Sequence, residues 1–141
     1  MKKVAVVYWS GTGNTEQMAE TVAKGARNAG AGVEVFTCDK FDSSKLSSFD
    51  AIGFGCPSMG AEELEETEFE PMFKSCIPLL SGKSIALFGS YGWGDGEWMR
   101  NWEETCKNAG ASLVADSVIC VEEPDENAKE ECLALGEALA K

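Results

Sequence analysis

In Val4-Ala5-Val6-Val7-Tyr8-Trp9-Ser10-Gly11-Thr12-Gly13-Asn14-Thr15 an apolar run gives way to a Gly-rich turn, and an amphipathic pattern follows at once. That succession predicts a strand, a tight turn and the start of a helix. The turn suits a phosphate. Gly11 and Gly13 let the backbone approach closely, successive N–H groups can converge, and the helix end carries roughly half a positive charge. Ser10, Thr12, Asn14 and Thr15 add side-chain donors. Two common nucleotide signatures are excluded: no lysine stands where G-x-x-x-x-G-K-[ST] requires one, and Glu16 occupies the last glycine position of G-x-G-x-x-G. With no Lys or Arg in the turn, a phosphate would be held by neutral dipoles alone. The simpler alternative is that Asn14 or Thr15 merely caps the helix.

The same alternation continues outward along the chain. Strand-sized apolar segments are expected at about 3 to 9, 33 to 38, 51 to 56, 84 to 89 and 112 to 121, each nearly all apolar as in a parallel sheet covered on both faces. Between them, Met18, Ala19, Val22, Ala23 and Ala26 form one stripe of a helix running to Ala29 and closed by Gly30. Residues 43 to 48 read as a single turn anchored by Leu46 and Phe49. A third helix is expected from Glu70-Pro71, with Pro at its first position and Pro78 limiting it. Helices at about 97 to 108, with Trp98 and Trp102 inward, and 125 to 140 complete the set. Right-handed crossovers make this a doubly wound α/β sheet with helices on both faces. Ligands of such sheets bind beyond the carboxyl ends of the strands, so the informative loops are 10 to 15, 57 to 66 and 90 to 96.

Composition narrows the function. At 141 residues the chain is sized for one domain, 1–141, and it carries 24 acidic against 12 basic residues, a net charge of −12. That balance argues against nucleic acid or an anionic membrane and favours basic protein partners. There is no histidine, so Ser-His and Cys-His dyads and the usual general base are unavailable. The six cysteines include no C-x-x-C pair and read as buried thiols in a reducing compartment. No apolar run approaches a membrane span and no secretory leader is visible, so a cytoplasmic location is expected.

The other two loops add chemistry. Ser90-Tyr91-Gly92-Trp93-Gly94-Asp95-Gly96 sets two aromatics among glycines, where a flat ring could lie against one of them. Pro57-Ser58-Met59-Gly60-Ala61-Glu62 offers a soft thioether for the opposite face and a glycine able to adopt two turn types. Six glutamates fall between 62 and 70, and most read as a solvated acidic loop. Trp9 reads as a wall beside the first loop, and Trp98 and Trp102 as core.

Tyr8-Trp9-Ser10-Gly11-Thr12-Gly13-Asn14-Thr15 resembles the phosphate-loop signature of the flavodoxins, and Cys56-Pro57-Ser58-Met59-Gly60 and Phe88-Gly89-Ser90-Tyr91-Gly92-Trp93-Gly94 resemble their two flavin-flanking loops in the short-chain, clostridial type. The resemblance spans the chain. It implies a flavodoxin-like five-stranded parallel sheet in the order 2-1-3-4-5 and a non-covalently bound flavin mononucleotide, FMN. Residues Ser10 to Thr15 would bind the phosphate, Met59 and Trp93 would cover the two ring faces, the Gly60 carbonyl would turn toward flavin N5–H, and the Glu62 carboxylate would accept from N3–H. Ser90, Tyr91, Gly92, Trp93 and Gly94 would contact the pyrimidine edge. Ala61 stands where relatives often carry a polar residue, and a positive φ there would be disfavoured. No contact is carried over to Glu122. At this length there is no room for the insertion that splits the last strand in long-chain members.

The implied function is a low-potential, one-electron carrier shuttling between semiquinone and hydroquinone, an electron-transfer protein rather than an enzyme, and a monomer is expected. An uncompensated phosphate and the acidic loop would disfavour the anionic hydroquinone. Implied partners are basic-faced redox proteins such as flavodoxin/ferredoxin reductases and 2-oxoacid oxidoreductases. A quinone reductase on the same fold would want extra loops for its substrate. A receiver-type signalling domain lacks its acidic residues at Trp9-Ser10 and Cys56-Pro57, and a phosphatase built on Cys56 lacks a nearby arginine.

Overall fold

A computed structural model gives the structure of residues 1–141. Strands β1 (Lys3–Tyr8), β2 (Gly32–Thr37), β3 (Ala51–Gly55), β4 (Ser84–Tyr91), β5 (Ser112–Leu113) and β6 (Val118–Val121) alternate with helices α1 (Asn14–Asn28), α2 (Phe69–Cys76), α3 (Glu97–Asn108) and α4 (Glu126–Leu139). Every pairing is parallel. The order is β2-β1-β3-β4, with β5 and β6 both beside β4. This is the expected 2-1-3-4-5 sheet with its fifth strand in two pieces. Ser112 and Leu113 pair with Ser84 and Ile85, and pairing resumes at Phe88 with Val118. Residues 114 to 117 therefore face only Ala86 and Leu87, and the excess is taken up as a break in the edge strand, without any long insertion.

Three further boundaries differ from expectation. β4 runs on to Tyr91 because β6 offers partners to Phe88 through Tyr91, so Ser90 and Tyr91 belong to a strand rather than a loop. β2 is an edge strand whose Glu34 and Val35 are exposed, so it is not covered on both faces. Pro71 occupies the third helical position of α2, where its missing N–H has no intrahelical partner to lose.

Side chains of β1 alternate between two cores. Ala5 and Val7 join Ile52, Phe54, Phe69, Phe73, Trp98 and Trp102 under α2 and α3. Val4, Val6 and Tyr8 join Met18, Val22, Phe88, Leu135 and Leu139 under α1 and α4. On that second face α1 and α4 touch backbone to backbone, through Gly25 against Leu133 and Gly136 against Val22. The 43–48 segment is a 3-10 turn capped by Asp42, which accepts from the Ser44 N–H at 2.9 Å, with Leu46 and Phe49 buried as anchors. Asp125 likewise caps α4 by accepting from Ala128 N–H at 2.8 Å. All six cysteines are free thiols, with only Cys120 partly exposed. No helix is long and apolar enough to cross a membrane.

Candidate functional site

The three loops meet at the carboxyl ends of β1, β3 and β4, where Tyr8 is in register with Gly55 and Gly55 with Phe88. The Trp9 N–H donates to Gly55 O at 3.0 Å and carries the β1 pairing one residue further. The chain then turns. Ser10 Oγ accepts from the Gly13 N–H at 3.0 Å, and Gly13 adopts a φ of 95° as the residue preceding α1. A positive φ at that point is why glycine stands there. Asn14 and Thr15 open the helix inside its first turn, and no side chain caps it. Capping is therefore not what these two residues do.

Thr15 is nearly inaccessible, and its Oγ1 lies 3.1 Å from Ser90 Oγ. The Ser90 carbonyl accepts from the Ser58 N–H at 3.0 Å. Ser90 thus ties the first loop to the second from the end of β4.

The second loop folds back on itself. Met59 and Glu63 exchange two backbone bonds, N–H of Met59 to Glu63 O at 2.7 Å and N–H of Glu63 to Met59 O at 2.8 Å. Between them the positive φ values fall at Gly60, 52°, and at Glu62, 55°, so Ala61 escapes the strain considered for it. The Glu62 carboxylate accepts from the Glu97 N–H at 3.2 Å and lies against Gly94, where a Cβ would collide with it. It links the second loop to the third at the amino end of α3.

Above these loops lies a cleft of about 420 Å³ lined by 11 residues. Nine are residues expected from sequence to bind the ligand, Gly11, Thr12, Asn14, Pro57, Ser58, Met59, Ser90, Tyr91 and Gly92, and Trp9 is there as the expected wall. Glu122 completes the lining, and no lysine or arginine is part of it. Ser10, Gly13 and Thr15 support the first loop from within, while Gly60 sits in an adjoining hollow beside Met59. Ala61, Glu62, Trp93 and Gly94 lie outside the cleft lining, with Trp93 59 % exposed.

The comparisons with known proteins agree with this geometry. Residues 6–136 match the family model described as Flavodoxin. The chain belongs to the flavodoxin family. It is 46 % identical over 135 residues to the flavodoxin of Clostridium beijerinckii, covering 96 % of this chain and 97 % of that one. With the flavodoxin of Megasphaera elsdenii it shares 46 % over 138 residues, 98 % of each. The solution structure of two-electron reduced Megasphaera elsdenii flavodoxin superposes with a TM-score of 0.90 over 97 % of this chain and 98 % of that one, at 47 % identity.

Flavodoxins are FMN-binding electron carriers rather than enzymes, and the cleft of this flavodoxin fits that cofactor. Ser58 Oγ is buried at the cleft with no hydrogen-bond partner in the protein, so a polar group of a ligand is the natural complement. Titratable groups nearby offer no competing chemistry. Burial pushes the Cys56 thiol up and keeps it protonated, which removes it as a nucleophile. Tyr8 is pushed up to about 12 by burial and by the hydrogen bond to Glu16 at 3.0 Å.

Three residues gain roles beyond the sequence reading. Glu122 supplies the one charge in the cleft lining, from a residue with φ 55° whose N–H donates to Tyr91 O at 2.9 Å. Its place before Glu123-Pro124 gave a turn but no ligand signal. Glu65 is buried and Glu68 holds Trp9, although both belong to the run that reads as solvated.

Proposed function

We propose that the cleft between residues 10–15, 57–62 and 90–94 holds FMN without a covalent link, and that residues 1–141 work as one low-potential, one-electron carrier. What carries the reading is the absence of any cation among the residues lining a cleft that a phosphate-loop helix faces. Ser10 to Thr15 would take the phosphate by neutral donors, Met59 and Trp93 would flank the ring, and Glu62 with Ser90 to Gly94 would meet its polar edge. When bound, FMN supplies the electron storage. The protein supplies a negative field: Glu122 in the cleft, Glu63, Glu65 and Glu66 around the adjoining hollow at Met59 and Gly60, and Glu68 against Trp9. Each raises the cost of adding negative charge to the ring, because Coulomb interactions are only partly screened at a half-buried site. The purified protein should show yellow flavin absorption at one FMN per chain, with its second reduction step well below that of free FMN. A colourless protein that cannot be reconstituted overturns the cofactor site, and a second step at the free-flavin value overturns the electrostatic account.

We also propose a cytoplasmic monomer that docks transiently on basic-faced redox proteins, such as flavodoxin/ferredoxin reductases and 2-oxoacid oxidoreductases. The net charge of −12 supports it, since opposite charge steers encounter. Electron transfer to such a partner should slow by about tenfold or more between low and physiological salt. A rate independent of ionic strength refutes the docking.

A further inference from the structure

Trp9 is a partition. One side of its indole lines the 420 Å³ cleft, and the residue also lines a groove of about 200 Å³ that contains Glu16, Asp39 and Glu68. The six-membered ring lies over Gly11, so close that a Cβ there would stand 3.0 Å from Cη2 and 3.3 Å from Cζ3. An indole has one donor, Nε1–H, and here it goes to Glu68 Oε1 at 3.0 Å. Glu68 is itself placed by a buried neighbour, because its N–H donates to Glu65 Oε1 at 2.7 Å. A continuous line of contacts thus runs from Glu65 through Glu68 and Trp9 to the phosphate loop at Gly11.

We propose that Glu68 is a positioning residue for the cofactor cleft, holding the Trp9 indole as its side wall by the Nε1–H bond and thereby slowing release of FMN. This rests on the reading of the cleft as the FMN site. Without the bond the indole is free to rotate, either into the cleft or away from Gly11, and in both cases the wall that closes the phosphate end is lost. The carboxylate has a second, opposite effect: its charge repels a bound phosphate. The two effects separate experimentally, because Glu68→Gln and Glu68→Ala both remove the charge while only glutamine keeps an acceptor at that reach.

The test is release of FMN from the holoprotein on dilution, followed by recovery of flavin fluorescence. Glu68→Ala should release FMN about fivefold faster than Glu68→Gln, the range expected for one partly shielded hydrogen bond. In the Trp9→Phe background, which lacks the donor, the two substitutions should release FMN equally. Equal rates in the otherwise unaltered chain overturn the proposal, as does a fivefold difference that persists in the Trp9→Phe background. A lower urea midpoint for Glu68→Ala with no change in release also overturns it, since that marks a purely structural bond. If the unsubstituted protein retains no FMN at all, the cofactor site fails and the proposal falls with it. If it retains FMN while the variants do not differ, only the role of Glu68 fails.

Discussion

Gly136→Ala should lower the stability of the protein by about 3 kcal/mol, and Gly25→Ala by a similar amount, as urea midpoints at one fixed FMN concentration would read it. Intrinsic propensity predicts the opposite sign, since replacing an interior helical glycine by alanine gains about 1 kcal/mol where the methyl meets only solvent. Here both methyls meet backbone. A Cβ on Gly136 would overlap the Val22 carbonyl oxygen and stand 2.7 Å from Ala26 N. A Cβ on Gly25 would overlap the Leu133 carbonyl oxygen and stand 2.9 Å from its carbon. Neither obstacle can swing aside as a side-chain tip can. The two helices must separate, which loosens the packing of Met18, Val22, Leu135 and Leu139 beneath them. Because one separation relieves both clashes, the double substitution should cost clearly less than the two single costs added. A neutral or stabilising Gly136→Ala would show that α4 slides on α1 without loss.

The alternation of strand and helix was legible because it lives in local chemistry. Val4 to Tyr8, Ala51 to Gly55 and Ser84 to Gly89 are apolar runs between turn residues, and Met18, Val22 and Ala26 recur at helical spacing. The cleft was legible for the same reason, since nine of its eleven lining residues lie at, or within a few residues beyond, the carboxyl ends of such strands. What stayed hidden depends on contacts distant in sequence. Nothing local separates Ser112-Leu113 from Val118–Val121; the break follows from pairing with β4, whose own last residues are strand only because β6 lies beside them. Gly25 and Gly136 are ordinary interior glycines until two helices 100 residues apart are packed together. Most of the acidic run is solvent-accessible as expected, and its one buried member stayed hidden because net charge says nothing of which carboxylate turns inward. Glu65 turns inward because the Met59–Glu63 exchange folds the loop back and brings the Glu65 N–H within 3.4 Å of the buried Cys56 sulfur.

Loss of that inward carboxylate is the second large effect. Glu65 accepts at both oxygens, Oε1 from the N–H groups of Glu68 at 2.7 Å and Phe69 at 2.8 Å, and Oε2 from the Thr67 N–H at 3.0 Å and the Thr67 hydroxyl. It therefore satisfies donors at the amino end of α2 that no helical carbonyl reaches, and its charge faces the positive end of the helix. Glu65→Ala should cost about 2 kcal/mol at pH 7, the loss of a cap together with a buried Phe69 N–H left without a partner. The pH dependence has a definite sign. Burial pushes the Glu65 carboxyl up, but the bonds from the Thr67 hydroxyl and from the Phe69, Glu68 and Thr67 N–H groups outweigh it, and the group sits below the ordinary glutamate value. A carboxyl depressed on folding adds stability that is fully present above its unfolded value, roughly 4.3, and is lost as pH falls through the folded value. Glu65→Gln keeps the shape but turns an amide N–H₂ toward donors, so it should be less stable than the unsubstituted protein at pH 7. That gap should narrow as the medium is taken below pH 4. A gap unchanged from pH 7 to pH 3 would mean that packing, not the charge on Glu65, secures α2. Because the Glu65 carboxylate also sets the backbone of Glu68, the same acidification should loosen the Trp9 wall before the sheet itself gives way, so FMN release should quicken at a pH where the β-sheet signal is still intact.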